Sequence, residues 1–242
     1  MAHRALQYCG TWLFVTVMGA LIFSVSGMAL ADSVYTLTAT SSDETKGTVA
    51  VDKGSAASGE EFAASANAAA GYAFAFWKGD LPESYKHLNP LSLPADASYA
   101  IQAVFGKAAE VPSGGNVRAA IEQVGADATA DCPGVVVLAP GDYAPGEDDA
   151  GDYAFEISQN VIVKATGASP AETVLNASQK RGVKLAAGAR IENLTLTNCT
   201  AVGTAGYAFG ILAQDANVID CVLKGGAGLR YSANGDHPEY YV

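Results

Sequence analysis

Three groups of residues in this 242-residue chain have types and spacings that could do chemistry. Gly146-Glu-Asp-Asp-Ala-Gly-Asp152 gathers four carboxylates, Glu147, Asp148, Asp149 and Asp152, in a glycine-bracketed loop. Hard oxygen ligands on a flexible loop are what Ca²⁺ uses, but EF-hand spacing is lacking, and a solvated acidic excursion is the plain alternative. Asp215 and Asp220 are the candidates for acid/base cleavage, which requires two carboxylates converging on one bond. No paired carboxylates recur along the chain, so a turn or surface acid is the simpler reading of Asp220. Residues 157–190 carry Lys164, Lys180, Arg181, Lys184 and Arg190 against Glu172 alone, whereas 122–156 hold nine acids and no Lys or Arg. Exposed, Lys180, Arg181, Lys184 and Arg190 would form a basic strip able to hold an acidic polysaccharide. The alternative is a mixed, solvated face that balances its acidic neighbour.

The elements that must position these residues are β-rich. Half the residues are hydrophobic and 26 are glycine, which suits compact domains and disfavours long helical bundles. A formal charge of −11 disfavours nucleic acid and anionic lipid as partners. At the N-terminus, no charged residue stands between Arg4 and Asp32, residues 12–25 are almost continuously apolar, and Ala29-Leu30-Ala31 fits a signal peptidase. Residues 1–31 are therefore expected to be a cleaved signal peptide, with an uncleaved anchor as the alternative; after cleavage no membrane span remains. Export allows disulfides among Cys132, Cys199 and Cys221, where an odd count leaves one thiol over. There is no Cys-x-x-Cys or Cys/His cluster, so no zinc site and no organic cofactor is expected. Asn176, Asn193 and Asn198 match the glycosylation pattern, which matters only in a host that glycosylates.

From residue 34 to 105 short β-branched or apolar runs alternate with turn residues, predicting about five strands. Gly47, Gly59, Gly71-Tyr72-x-Phe74-x-x-Trp77-x-Gly79-Asp80, Pro90-Leu91-x-Leu93, Asp96 and Ala103-Val-Phe105 resemble one divergent InlB B-repeat of bacterial surface proteins. The resemblance implies a compact β module at 32–107 without chemistry of its own. Alternation places Tyr72, Phe74 and Phe76 on one strand face, where a small core needs them more than sugar stacking does. His87 stands in a loop with no visible partner and reads as a surface histidine.

Residues 108–115, with Pro112, Ser113 and two glycines, read as a linker. Asn116 can cap a helix over 117–124 whose Val117, Ala120, Ile121 and Val124 share a face that should cover the end of the next domain. Beyond Gly134 brief strands recur: Gly182-Val183 returns as Gly210-Ile211 after 28 residues, and Ile191-x-x-Leu194-x-Leu196 as Val218-x-x-Cys221-x-Leu223 after 27. Such a period marks coils that bury apolar residues against their neighbours. Ala120-Ile, Val136-Val-Leu-Ala-Pro-Gly-Asp-Tyr143, Asn160-Val-Ile-Val-Lys-x-x-Gly167 and Gly188-x-x-Ile-Glu-Asn-Leu-Thr-Leu-Thr-Asn198 resemble the pectin-lyase-like right-handed β-helix superfamily over roughly 115–232. That superfamily holds polysaccharide-cleaving enzymes, tailspikes and adhesins, so the likeness leaves function open. The 27-residue register sets Cys221 above Leu194 inside the coil, and a bridge between Cys132 and Cys199 stays open.

The expected fold is all-β: a B-repeat module, then a short, N-terminally helix-capped right-handed parallel β-helix over 116–242, read as truncated because the tail after Asn234 supplies no cap. The expected function is that of an exported surface or secreted protein, adhesin-like or contacting extracellular polysaccharide or another cell-surface ligand, without catalysis in this chain. The alternative is the N-terminal part of a polysaccharide lyase or glycoside hydrolase.

Overall fold

The computed structural model describes residues 33–146, 152–200, 210–213, 215–224, 229–231 and 239–241. The expected signal peptide, and Glu147, Asp148 and Asp149 of the acidic loop, lie outside the described residues. Among the described residues no helix is long and apolar enough to cross a membrane.

The fold is mostly β. The first part holds β1 (Val34–Ser41), β2 (Gly47–Val51), β3 (Ser55–Ala57), β4 (Glu61–Ala68), β5 (Tyr72–Gly79), β6 (Leu91–Pro94) and β7 (Tyr99–Val111). The sequence pattern misses two of these seven. β3 is only three residues long, and β6, Leu91-Ser92-Leu93-Pro94, alternates over only four residues between prolines. β2, β4 and β6 form one antiparallel sheet, while β1 and β5 both pair with β7. Phe62, Phe74, Trp77, Leu91, Leu93 and Phe105 fill the core between them.

A bulge in β5 overturns the simple alternation. The β5–β7 register slips between Phe74 and Phe76, leaving Ala75 unopposed. One extra residue reverses the side-chain faces that follow. Phe74 and Trp77 therefore point into the core with ring centroids 5.3 Å apart, and half-buried Phe76 faces the other way. Trp77 is fully buried and donates its indole N–H to the Leu88 carbonyl at 2.8 Å, so it offers no face to a sugar.

The expected linker begins inside β7, because residues 108–111 continue the strand. Tyr99–Ala103 of β7 pair with β1, and Lys107–Val111 pair in parallel with β8 (Gly134–Leu138). Between them lies α1 (Val117–Gly125), capped by Asn116 Oδ1 accepting from the Ala119 amide at 3.0 Å. Val117, Ala120, Ile121 and Val124 are buried against Val136, Phe155 and Val161, as the helical spacing predicts.

The chain then runs through β9 (Gly141–Tyr143), β10 (Tyr153–Ile157), β11 (Val161–Ala165), β12 (Thr173–Asn176), β13 (Arg181–Leu185), β14 (Arg190–Glu192), β15 (Thr195–Thr197), β16 (Ile211–Ala213), β17 (Asn217–Ile219), β18 (Val222–Leu223), β19 (Leu229–Tyr231) and β20 (Glu239–Tyr241). It visits three sheets in turn and returns to each in parallel. β8, β11, β14 and β17 share one sheet; β9, β12, β15 and β18 share a second; β10, β13, β16 and β19 share the third, on which β20 folds back antiparallel. The register steps by 28 residues from Val183 to Ile211 and by 27 from Ile191 to Val218 and from Leu196 to Leu223, as read from the sequence. Inward ladders such as Val136–Val163–Ile191 and Tyr143–Leu175–Leu196 build the core. Gly182 recurs as Gly210 for a steric reason: a Cβ on Gly182 would lie 1.9 Å from the Gly210 carbonyl oxygen.

Corners between sheets use left-handed residues, which Asn, Asp and Gly adopt most readily. Asn160, Gly188 and Asp215 occupy one corner on successive turns, at φ 56°, 69° and 48°. Asn193 and Asp220 occupy the next, at 55° and 48°, and Asn193 Nδ2 donates to the Gly167 carbonyl at 2.7 Å.

Candidate functional site

The sheet of β8, β11, β14 and β17 has an outer face, and two outward ladders run across it. Val135, Ile162, Arg190 and Asn217 stand in register, as do Val137, Lys164, Glu192 and Ile219. Four apolar residues face outward on these ladders, which would be wasteful in solvent, and the first module covers three of them, Val135, Ile162 and Val137. Ala75 and Val104 pack on Val135 and Ile162 in a small separate core, with Ala73, Phe76 and Val137 at its margin. Fully burying a Val or Ile side chain is worth about 1.5–3 kcal/mol.

The bulge supplies the polar half of this junction. The Arg190 guanidinium donates to the Ala75 carbonyl, and the Lys164 ammonium donates to the Phe74 carbonyl. Arg190 also pairs with Glu192 and lies over the Phe76 ring at 5.6 Å. Both cations are desolvated, which lowers the pKa of Lys164 and of Arg190; the Glu192 carboxylate opposes that shift in each. Arg190 is 9% exposed, so it is not part of an exposed basic strip. Sequence alone cannot tell an outward residue that meets solvent from one covered by a segment more than a hundred residues away.

Of the other strip residues, Arg181 and Lys184 lie on β13 in the third sheet. Arg181 sits 3.5 Å from Asp152, and Lys184 sits 3.4 Å from Glu156. Both cations also lie over the Tyr153 ring, at 5.6 and 5.9 Å. Lys180 is half-buried in the turn before β13. The lopsided charge along the sequence thus becomes pairing between neighbouring turns of the coil. Asp152 is engaged with Arg181, and among the described residues no group of three His, Cys, Asp or Glu is placed to hold a metal.

Asp215 and Asp220 flank β17 at its two ends, each in a left-handed corner. Asp is among the residues that adopt this backbone most readily. Asp220 has a second role: its carboxylate is 3.6 Å from Nε2 of His87. His87 is therefore not a solvated loop residue; its side chain is 14% exposed, and its buried Nδ1 has no hydrogen-bond partner among the described residues.

Beside the junction runs a cleft missed by sequence reasoning. One part, of about 360 Å³, lies between Phe76, Lys78 and Glu83 of the first module and Asn160, Ile162 and Arg190 of the coil. A second, of about 400 Å³, extends it past His87 to Asn217 and Asp220; Glu83, Lys86, Arg190 and Asn217 line both. No short motif marks this cleft. The one sequence signal is the 27- or 28-residue step that aligns Ile162, Arg190 and Asn217.

Cys132, Cys199 and Cys221 are free thiols, so the Cys132–Cys199 bridge left open by the sequence is not formed. Cys221 is only half-buried, less than the register suggests, because β18 is the outermost described strand of its sheet. Its Sγ donates to the Ile219 carbonyl at 3.2 Å. Burial pushes the thiols of Cys199 and Cys221 up to about 11.

Residues 35–109, spanning β1 and most of β7, match the divergent InlB B-repeat domain. No curated protein and no solved structure matched the chain. The resemblance of the coil to pectin-lyase-like proteins finds no support in these comparisons.

Proposed function

We propose that this chain is an exported surface or secreted protein of bacterial type, in which a B-repeat module carries a short right-handed parallel β-helix that contacts extracellular polysaccharide or another cell-surface ligand without cleaving it. In this reading residues 1–31 are the export signal, 32–107 the B-repeat and 116–242 the coil. The observation that carries it is the match of residues 35–109 to a B-repeat, a bacterial surface-repeat domain, whose last strand continues directly into the coil through the pairing of β7 with β8. The corner roles of Asp215 and Asp220 and the rung-to-rung pairing of Arg181 and Lys184 account for the charged candidates structurally.

Expression of the full chain in a bacterial host tests the reading. The exported product should begin at Asp32 and be open to protease added outside the cell. Incubated with polygalacturonate, alginate and neutral glycans, with or without Ca²⁺, it should yield neither unsaturated uronate absorbance nor new reducing ends. Retention inside the cell with residues 12–25 intact would sink the export half. Turnover abolished by Asp215→Ala or Asp220→Ala would replace the contact role with the lyase or hydrolase reading.

A further inference from the structure

We propose that the cleft between β5 and the outer face of β11, β14 and β17 is a binding site for a neutral saccharide. The inference rests on the polysaccharide-contact reading above and narrows it to one site and one ligand class.

The cleft has the dimensions of a small-ligand site, with two connected parts of about 360 and 400 Å³. Its floor is apolar where Phe76, Ile162 and Pro133 line it, and sugar rings present apolar C–H faces that such a floor accepts. Its walls carry two amides, Asn160 and Asn217, whose side chains make no hydrogen bond to the protein among the described residues. An amide offers both donors and an acceptor, which matches hydroxyls that do both. Ile162, Arg190 and Asn217 stand on three successive strands, so apolar floor and amide wall are separated by two strand spacings, roughly 10 Å. That span suits a ligand with a repeating alternation of apolar face and hydroxyl edge.

Charge selects the class. The three cations lining the cleft are already paired: Lys78 with Asp131, Lys86 with Glu83 and Arg190 with Glu192. An anionic ligand would compete with these carboxylates in a chain whose overall charge is −11, whereas a neutral one leaves every pair intact. An apolar peptide would cover both amides without giving them partners.

The test is isothermal titration of the full chain with cellohexaose, xylohexaose, mannohexaose and chitohexaose, and with polygalacturonate, at 0.1 M and 1 M NaCl. At least one neutral hexasaccharide should bind, with Kd changing less than twofold between the two salts. Asn217→Ala and Asn160→Gly, the latter keeping the left-handed backbone, should each weaken binding about tenfold, while Lys184→Ala on the third sheet leaves it unchanged. An unaltered thermal transition in Asn217→Ala shows that the loss is not unfolding. Binding of polygalacturonate alone, fading at high salt and lost in Lys184→Ala, would overturn the cleft site and leave the polysaccharide-contact reading standing. Binding of none of these glycans would sink both. Neutral-glycan binding indifferent to both asparagine variants would place the ligand elsewhere and end the proposal.

Discussion

Arg190 and Ala75 lie 115 residues apart, and the guanidinium of the first donates to the carbonyl that the β5 bulge frees in the second. A backbone irregularity thereby helps to fasten the two halves of the chain, beside the side-chain pairs His87–Asp220 and Lys78–Asp131. Glu192, 8% exposed, depends on the same guanidinium for its charge balance.

Arg190→Ala should therefore destabilise strongly, by about 3–5 kcal/mol, because it leaves Glu192 buried and unpaired. Replacing both partners with apolar residues of similar size, Arg190→Met with Glu192→Leu, should recover most of that loss. Urea denaturation of the two variants beside the parent chain decides it. Equal losses in the single and double variants would mean that the Ala75 contact, not the ion pair, dominates.

Gly182→Ala should disrupt the stack of β13 on β16. The added Cβ would lie 1.9 Å from the Gly210 carbonyl oxygen and 2.7 Å from Leu196 Cδ2, and the first of these is backbone that cannot swing aside. A cost of about 1–3 kcal/mol follows from overpacking, seen as a lowered Tm. Gly54→Ala, where nothing lies within 4 Å, serves as the neutral control.

Asp220→Ala should lower stability by about 1–2 kcal/mol, because alanine is penalised in the left-handed backbone. Asp220→Gly should lose less, since glycine adopts φ near 48° freely. Thermal melts of the pair separate a conformational role from a chemical one: equal losses would point to the carboxylate and its contact with His87 instead.

Thiol labelling should be ordered by burial. With Cys199 and Cys221 at about 11, roughly one part in a thousand of each is thiolate at pH 8. Half-buried Cys132, in the turn before β8, should react first with iodoacetamide, half-buried Cys221 more slowly because its thiol is pushed up to about 11, and buried Cys199 only after denaturant is added. Mass spectrometry of timed samples reads the order directly. Fast native labelling of Cys199 would contradict its placement under the second sheet.

Alkaline stability should fall between pH 10 and 12. Burial, and then the hydrogen bond to Asp96 at 2.8 Å, push the Tyr99 hydroxyl up from 10 to about 12. A folded-state pKa above the unfolded one contributes stability that is complete below pH 10 and lost as pH rises through 12. Denaturation midpoints across that range should drop less in Tyr99→Phe than in the parent chain.

Much of the scaffold was legible in the residues themselves. The buried face of α1, its asparagine cap and the 27- and 28-residue register follow from local geometry, because helical pitch and strand alternation repeat along the chain wherever the pattern is written. The left-handed corners at Asn160, Asn193, Asp215 and Asp220 use short-range preferences of Asn and Asp, but many Asn and Asp take other backbones, so only the structure located them. Tertiary structure decided the rest. Alternation placed Phe76 in the first module's core, but the bulge at Ala75 turned it toward the coil. Composition placed Arg190 and His87 in solvent, but β5 and the corner at Asp220 covered them. The cleft exists only because two segments remote in sequence meet across the outer face of one sheet, a contact set by long-range packing that no local period encodes.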